Sequence, residues 1–202
     1  MKHQKMNRIL AAALSVACLV PFAAMVSVDA DAADVMSALE ITQEMGLGFN
    51  IGNSLDSTGY GNYDDITSFE KSYGNPAVTK EMVDTIKAKG FDSVRIPTSW
   101  FRHVTKTTDE NDNPVYTIDS RWLERVKEVV DYAYQQGMYV ILNLHHEEWI
   151  NRSDFATAYE EMSPQLKQMW TQIATYFADY DQHLIFEGMN EPRAANSGAL
   201  EW

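Results

Sequence analysis

Four short apolar runs, each closing in a cluster of polar residues, constrain this chain more than any other feature. They are GLGFNIGN (46–53), FDSVRIPTSW (91–100), MYVILNLHHEEW (138–149) and HLIFEGMNEP (183–192). Amphipathic segments of helical length separate them. TKEMVDTIKAKG (79–90) has apolar positions at Met82, Val83 and Ile86 and stops at Gly90. SRWLERVKEVVDYAYQQG (120–137) has Asp119 or Ser120 as its cap and Gly137 as its stop. SPQLKQMWTQIATYFADY (163–180) opens with Ser163 as N-cap and Pro164 in the first turn. A short helix over ALEITQEM (38–45) precedes the first run, and TKTTDENDNPVYTID (105–119) reads as a hairpin-like insertion with turn residues at its tip. Strand and helix in alternation demand parallel strands joined by crossover helices, so the fold class is α/β.

Two parallel architectures compete. A dinucleotide-binding sheet opens with a glycine fingerprint running into a helix. Here Gly46 and Gly48 lack a third glycine at the required spacing, and a long polar loop follows instead. The alternative is a (β/α)8 TIM barrel, whose active site forms at the C-terminal ends of several strands. Polar residues gather at those ends: Asn50 and Asn53, Arg95, Asn143 with His145 and His146, and Asn190 with Glu191. The barrel is therefore the expectation, with about its first four β/α units present.

Lys2, Lys5 and Arg8 followed by an apolar core and an Ala-Asp-Ala site at 30–32 read as a signal peptide over 1–32. The expected location is secreted, extracellular, with no membrane association after cleavage. That processing removes Cys18, the only cysteine, so the domain over 33–202 has neither disulfide nor thiol nucleophile. A net charge of −13 argues against nucleic acid as a partner.

The motifs GFNIGNSLD, SVRIPTSW, ILNLHHE and FEGMNEPR, in this order and each at a strand end, resemble those of glycoside hydrolase family 5, in its secreted bacterial endoglucanase branch. The resemblance covers residues from about 38 to 202. It implies a retaining endo-β-1,4-glucanase (cellulase) acting on β-glucan polysaccharide by a two-carboxylate mechanism, without a cofactor. Glu191 matches the general acid/base and Asn190 the residue that bonds the sugar 2-hydroxyl. Arg95 matches the arginine that orients the nucleophile. His145 matches a histidine lining the cleft, with His146 beside it. Asn53 and Trp100 fall where the family holds glycone-side sugars, and Trp149 sits where an indole could stack on a sugar face.

The family's nucleophile is a Glu at the end of a seventh strand, whereas this sequence reaches Trp202 just after its fourth. Residues 33–202 thus read as the N-terminal half of a catalytic domain, with the acid/base present and the nucleophile missing. Alone, such a half is expected to be inactive, and an appended carbohydrate-binding or dockerin module would lie beyond it. A β-mannanase or xylanase of the same architecture is one alternative, and a non-catalytic carbohydrate-binding barrel remnant is another. HHEE (145–148) invites a metal reading. Strand neighbours point opposite ways and H-E-x-x-H is absent, so no metal is expected. Tyr60, Tyr63 and Tyr73, in the long first loop, either line subsites or pin the loop.

Overall fold

The computed structural model describes residues 36–150 and 158–191; the signal peptide expected over 1–32 lies outside them. Helix α1 (Ala38–Glu44) is closed at its start by a reciprocal capping box between Ser37 and Glu40. Strand β1 (Gly48–Asn50) is followed by the long loop, which holds two short 3₁₀ turns, and then by α2 (Lys80–Ala88), capped by Thr79. Next come β2 (Ser93–Ile96), the antiparallel hairpin β3 (Val104–Thr108) and β4 (Pro114–Ile118), and α3 (Ser120–Tyr134), whose cap is Asp119. The described chain closes with β5 (Tyr139–Asn143), α4 (Tyr159–Tyr176) and β6 (Leu184–Glu187). No helix among the described residues is long and apolar enough to cross a membrane.

The main sheet has the order β1-β2-β5-β6, every pair parallel. Each strand lies beside the one that the next crossover delivers, the pattern of successive β/α units of a barrel. One face is apolar: Val94, Ile96, Val140 and Leu142 are essentially inaccessible and pack with Val126, Val130, Met169 and Ile173 of the helices. Burying each such side chain is worth about 1.5–3 kcal/mol, so this helix-covered face carries the stability. The opposite face is left to chemistry.

Two elements differ from the sequence pattern. Helix α4 starts at Tyr159, so Ser163 is a buried residue inside it rather than its cap, and Pro164 lies within the helix. Tertiary packing accounts for the extension: Met162 joins Ala158 and Ile150 in a small apolar cluster that a later start would forfeit. Strand β6 ends at Glu187, short of the predicted 192.

The hairpin is held by α4 in an unusual way. Gln168 Oε1 accepts from the Tyr116 N–H at 2.9 Å and its Nε2 donates to the Pro114 carbonyl at 3.0 Å. Gln172 repeats the pattern on the Ile118 N–H (3.0 Å) and the Tyr116 carbonyl (2.8 Å). Two amides one helical turn apart thereby act as a neighbouring strand and cover a sheet edge that would otherwise present unpaired groups.

Candidate active site

Register brings the polar residues together. β1 pairs Asn50 with Arg95, and β5–β6 pairs Asn143 with Glu187. Arg95 pairs with Ile141, two residues before Asn143, so all four side chains project from one face. Arg95 grips Glu187 with both arms of its fork, Nε to Oε2 at 2.7 Å and Nη2 to Oε1 at 2.6 Å. Nη2 also donates to Asn190 Oδ1 (3.0 Å) and Nη1 to Asn50 Oδ1 (3.2 Å). A bidentate guanidinium–carboxylate pair fixes a plane as well as a distance. Arg95 therefore stands oriented across three strand ends. Its hydrogen bonds hold the Glu187 carboxyl below the usual carboxylate range.

Asn143 extends the network. Its Oδ1 accepts the Thr98 N–H at 3.1 Å, which fixes the amide's orientation. Nδ2 then donates to Glu187 Oε1 and faces His145 Nδ1, both at 3.1 Å. Since Asn143 offers a donor, His145 Nδ1 must accept, and the proton of the neutral ring sits on Nε2. Burial, with His146 adding to it, lowers the His145 pKa to about 4, so the ring is neutral near pH 7.

The two histidines are not on opposite sides. β5 has ended at Asn143, strand alternation no longer applies, and the rings lie 4.5 Å apart. With buried Asp56 they place three ligand-type atoms within 4.8 Å of one another. The ring nitrogen facing Asp56 is His145 Nε2, at 3.8 Å. A metal there would need the proton on Nδ1, opposite an amide N–H, whereas a ligating histidine ordinarily donates that proton to an acceptor. This donor arrangement works against a metal ion. The group is tied by Ser99, whose hydroxyl donates to the Asp56 carbonyl (2.9 Å) and accepts the His146 N–H (3.1 Å).

Asn53 and Glu191 share a backbone peculiarity: both are non-glycine residues with positive φ, 58° and 42°. Glu191 also precedes Pro192 in sequence, a position that favours extended backbone. Such conformations cost about 1–3 kcal/mol each and persist where the surroundings enforce them, often at functional sites. For Asn190 one anchor is its N–H bond to the Leu144 carbonyl at 2.8 Å. Glu191 is exposed, and its charge acts on Arg95. Because β6 ends at Glu187, strand alternation does not set where Glu191 points, and Met189 packs against the small cluster at Ile150 and Met162. Asn53, also exposed, has its carbonyl held by Asn75 Nδ2 at 2.9 Å.

Trp100 does not meet sugar. It is completely buried, with Nε1 donating to the Asn143 carbonyl at 2.9 Å, so neither ring face is open. Trp149 is half-buried and packs against both apolar clusters, its indole N–H bonded to Glu147 Oε2 at 2.7 Å. Glu147 itself was not foreseen. It is buried, takes the Trp100 N–H at 2.6 Å, and burial pushes its carboxyl up to about 8. Asp56 was also missed, although it closes the GFNIGNSLD motif that carried the resemblance.

A parallel α/β sheet with a guanidinium–carboxylate–amide network at its C-terminal strand ends has the layout of the active-site face of a barrel enzyme. The family model for cellulase (glycosyl hydrolase family 5) matches residues 55–202, and the chain belongs to that family. Endoglucanase A of Ruminococcus albus is 48% identical over 170 residues, covering 83% of this chain and 43% of the relative. Endoglucanase A of Clostridium longisporum is 46% identical over 179 residues, covering 86% of this chain and 32% of the relative. Among solved structures, a broad-specificity endoglucanase from Ruminococcus flavefaciens has a TM-score of 0.69 at 55% identity, covering 84% of this chain and 46% of that one. The chain thus spans less than half the length of these relatives. Its four parallel strands are the first four β/α units of the (β/α)8 barrel.

Proposed function

We propose that the full protein is a secreted, retaining endo-β-1,4-glucanase, with Glu191 as its general acid/base. The observation that carries this reading is Arg95, held rigidly by Glu187 and bonded to Asn190, the residue next to Glu191. In a retaining glycosidase the acid/base protonates the leaving oxygen while a second carboxylate ~5 Å away attacks the anomeric carbon. We assign that nucleophile to the part of the relatives' length that this chain does not span. Arg95, with donors turned to the strand ends, would orient it and keep it ionised. Asn190 would hold a sugar hydroxyl, and neutral His145 would present an Nε2–H donor.

The relatives' names, as endoglucanases, support a glucan substrate, and the broad specificity in the name of the Ruminococcus flavefaciens neighbour supports tolerance of more than one glucan. The basic and apolar leader over 1–32 supports export to the extracellular space. We extend the proposal to a carbohydrate-binding or dockerin module in the remaining length. The test is Glu191→Gln in the full-length protein, assayed on cellohexaose and mixed-linkage β-glucan. We expect kcat to fall by about 10²–10⁴-fold, the range for removing a general acid/base. A parental kcat in the variant would remove Glu191 from the mechanism. Binding of glucan by the parent without cleavage would favour a carbohydrate-binding barrel.

A further inference from the structure

We propose that Tyr60 is a sugar-stacking platform at the rim of the cleft, a remote subsite for a pyranose unit of a long glucan chain. The inference rests on the glucan reading above and adds a binding site to it.

The three tyrosines of the first loop behave differently. Tyr63 donates its hydroxyl to the Arg102 carbonyl at 2.5 Å and lies edge-on to Phe69. The Tyr73 hydroxyl is 2.7 Å from Thr58 Oγ1. Both pin the loop. Tyr60 is 85% exposed, and its hydroxyl has no hydrogen-bond partner among the described residues. What it has is a backing. The Arg102 guanidinium lies over its ring, 4.3 Å from the centroid, and 4.8 Å from the Phe101 centroid. Arg102 is itself immobilised, with Nε donating to the Thr58 carbonyl and Nη2 3.5 Å from Glu148 Oε1.

This arrangement keeps a flat aromatic face in water at the cost of ordering an arginine behind it. A cation against one face of a ring leaves the other for an apolar contact. A pyranose supplies such a contact, because its axial C–H bonds form a flat apolar patch on an otherwise polar molecule. A protein partner would need a wider apolar surface, and a lone ring beside Arg102 and Glu148 does not provide one. The position also fits. Tyr60 lies in the loop that follows β1, and Glu148, which holds its backing arginine, is two residues from His146. A glucan chain crossing the strand ends would reach Tyr60 after the histidines, so the platform would engage long ligands and miss short ones.

The test is calorimetric titration of cellohexaose and cellotriose into the full-length protein carrying Glu191→Gln, alone and combined with Tyr60→Ala or Tyr60→Phe. Tyr60→Ala should weaken cellohexaose binding roughly two- to tenfold, the scale of one aromatic contact. Cellotriose affinity should change less, and Tyr60→Phe should match the parent with both sugars. Unchanged cellohexaose binding in Tyr60→Ala overturns the platform. So does an equal loss for both sugars, which would mark a displaced loop, or an equal loss in Tyr60→Phe, which would mark the hydroxyl. A protein with Glu191 restored that binds cellohexaose without cleaving it would sink the catalytic reading and leave the platform standing.

Discussion

Two arginine–glutamate pairs in this molecule have the same forked geometry and opposite roles. Arg125 and Glu70 join α3 to the long first loop, with side chains only 5% and 0% exposed. Every strong group there is satisfied: Arg125 bonds both Glu70 oxygens, the Val78 carbonyl and Glu128, and Glu70 Oε2 also takes the Val78 N–H. Arg95 and Glu187 are 26% and 31% exposed, and the arginine's remaining donors go to two asparagines at strand ends. The sealed pair fastens a loop, and the open pair aims a cation. Surroundings, not pair chemistry, separate structure from function here. Glu147 makes a third case, a buried carboxyl held by N–H donors with no cation beside it among the described residues.

Removing one partner tests this comparison most severely at the sealed pair. Glu70→Gln removes the buried counter-charge of Arg125, leaving it only the exposed Glu128 carboxylate, and should cost about 3 kcal/mol in chemical denaturation, with kcat of the folded fraction retained. At the open pair the pattern should invert. Glu187→Gln should lower kcat by about 10²-fold through loss of Arg95 orientation. Its stability should shift by no more than about 1 kcal/mol, as solvent screens the remaining charge. Equal stability losses in the two variants would collapse the distinction.

The pH dependence of Glu147 sharpens it further. Its folded pKa of about 8 lies above its ordinary value of 4.5, so the folded protein holds the proton more tightly than the unfolded chain. The stabilisation is complete below pH 4.5 and is lost as pH rises through 8. Relative to Glu147→Gln, the parent should lose up to about 1.4 kcal/mol per pH unit across that window. A flat difference between the two proteins, followed by thermal or denaturant unfolding against pH, would show that the N–H groups around Glu147 outweigh its burial.

Much of this was legible in the chain, and the failures are instructive. The four apolar runs became the four parallel strands, and the turn residues of 105–119 became a hairpin. Arg95 and Asn190 were visible as polar residues at strand ends, and the structure joins them. The errors came where alternation was carried past the end of a strand. β6 stops at Glu187 and β5 at Asn143, so the facing of Glu191 and of the paired histidines could not be counted off. Trp100 failed for a different reason. An indole next to a strand end looks alike whether it turns out to sugar or in toward the Asn143 carbonyl. Arg125 and Glu70 stand 55 residues apart with no motif between them to announce a pair.

The sequence alone determined the order of strands and helices, the faces of the helices, and the polar residues at the strand ends. Those are local properties, set by periodicity, capping and turn chemistry within a few residues. Only the tertiary structure decided which of those polar groups meet, which are sealed, and which backbone positions are strained. Such facts depend on register between distant strands and on the water that packing excludes. Arg95 is the same residue in either reading; its role comes from Glu187, 92 positions away in the chain and 2.6 Å away in space.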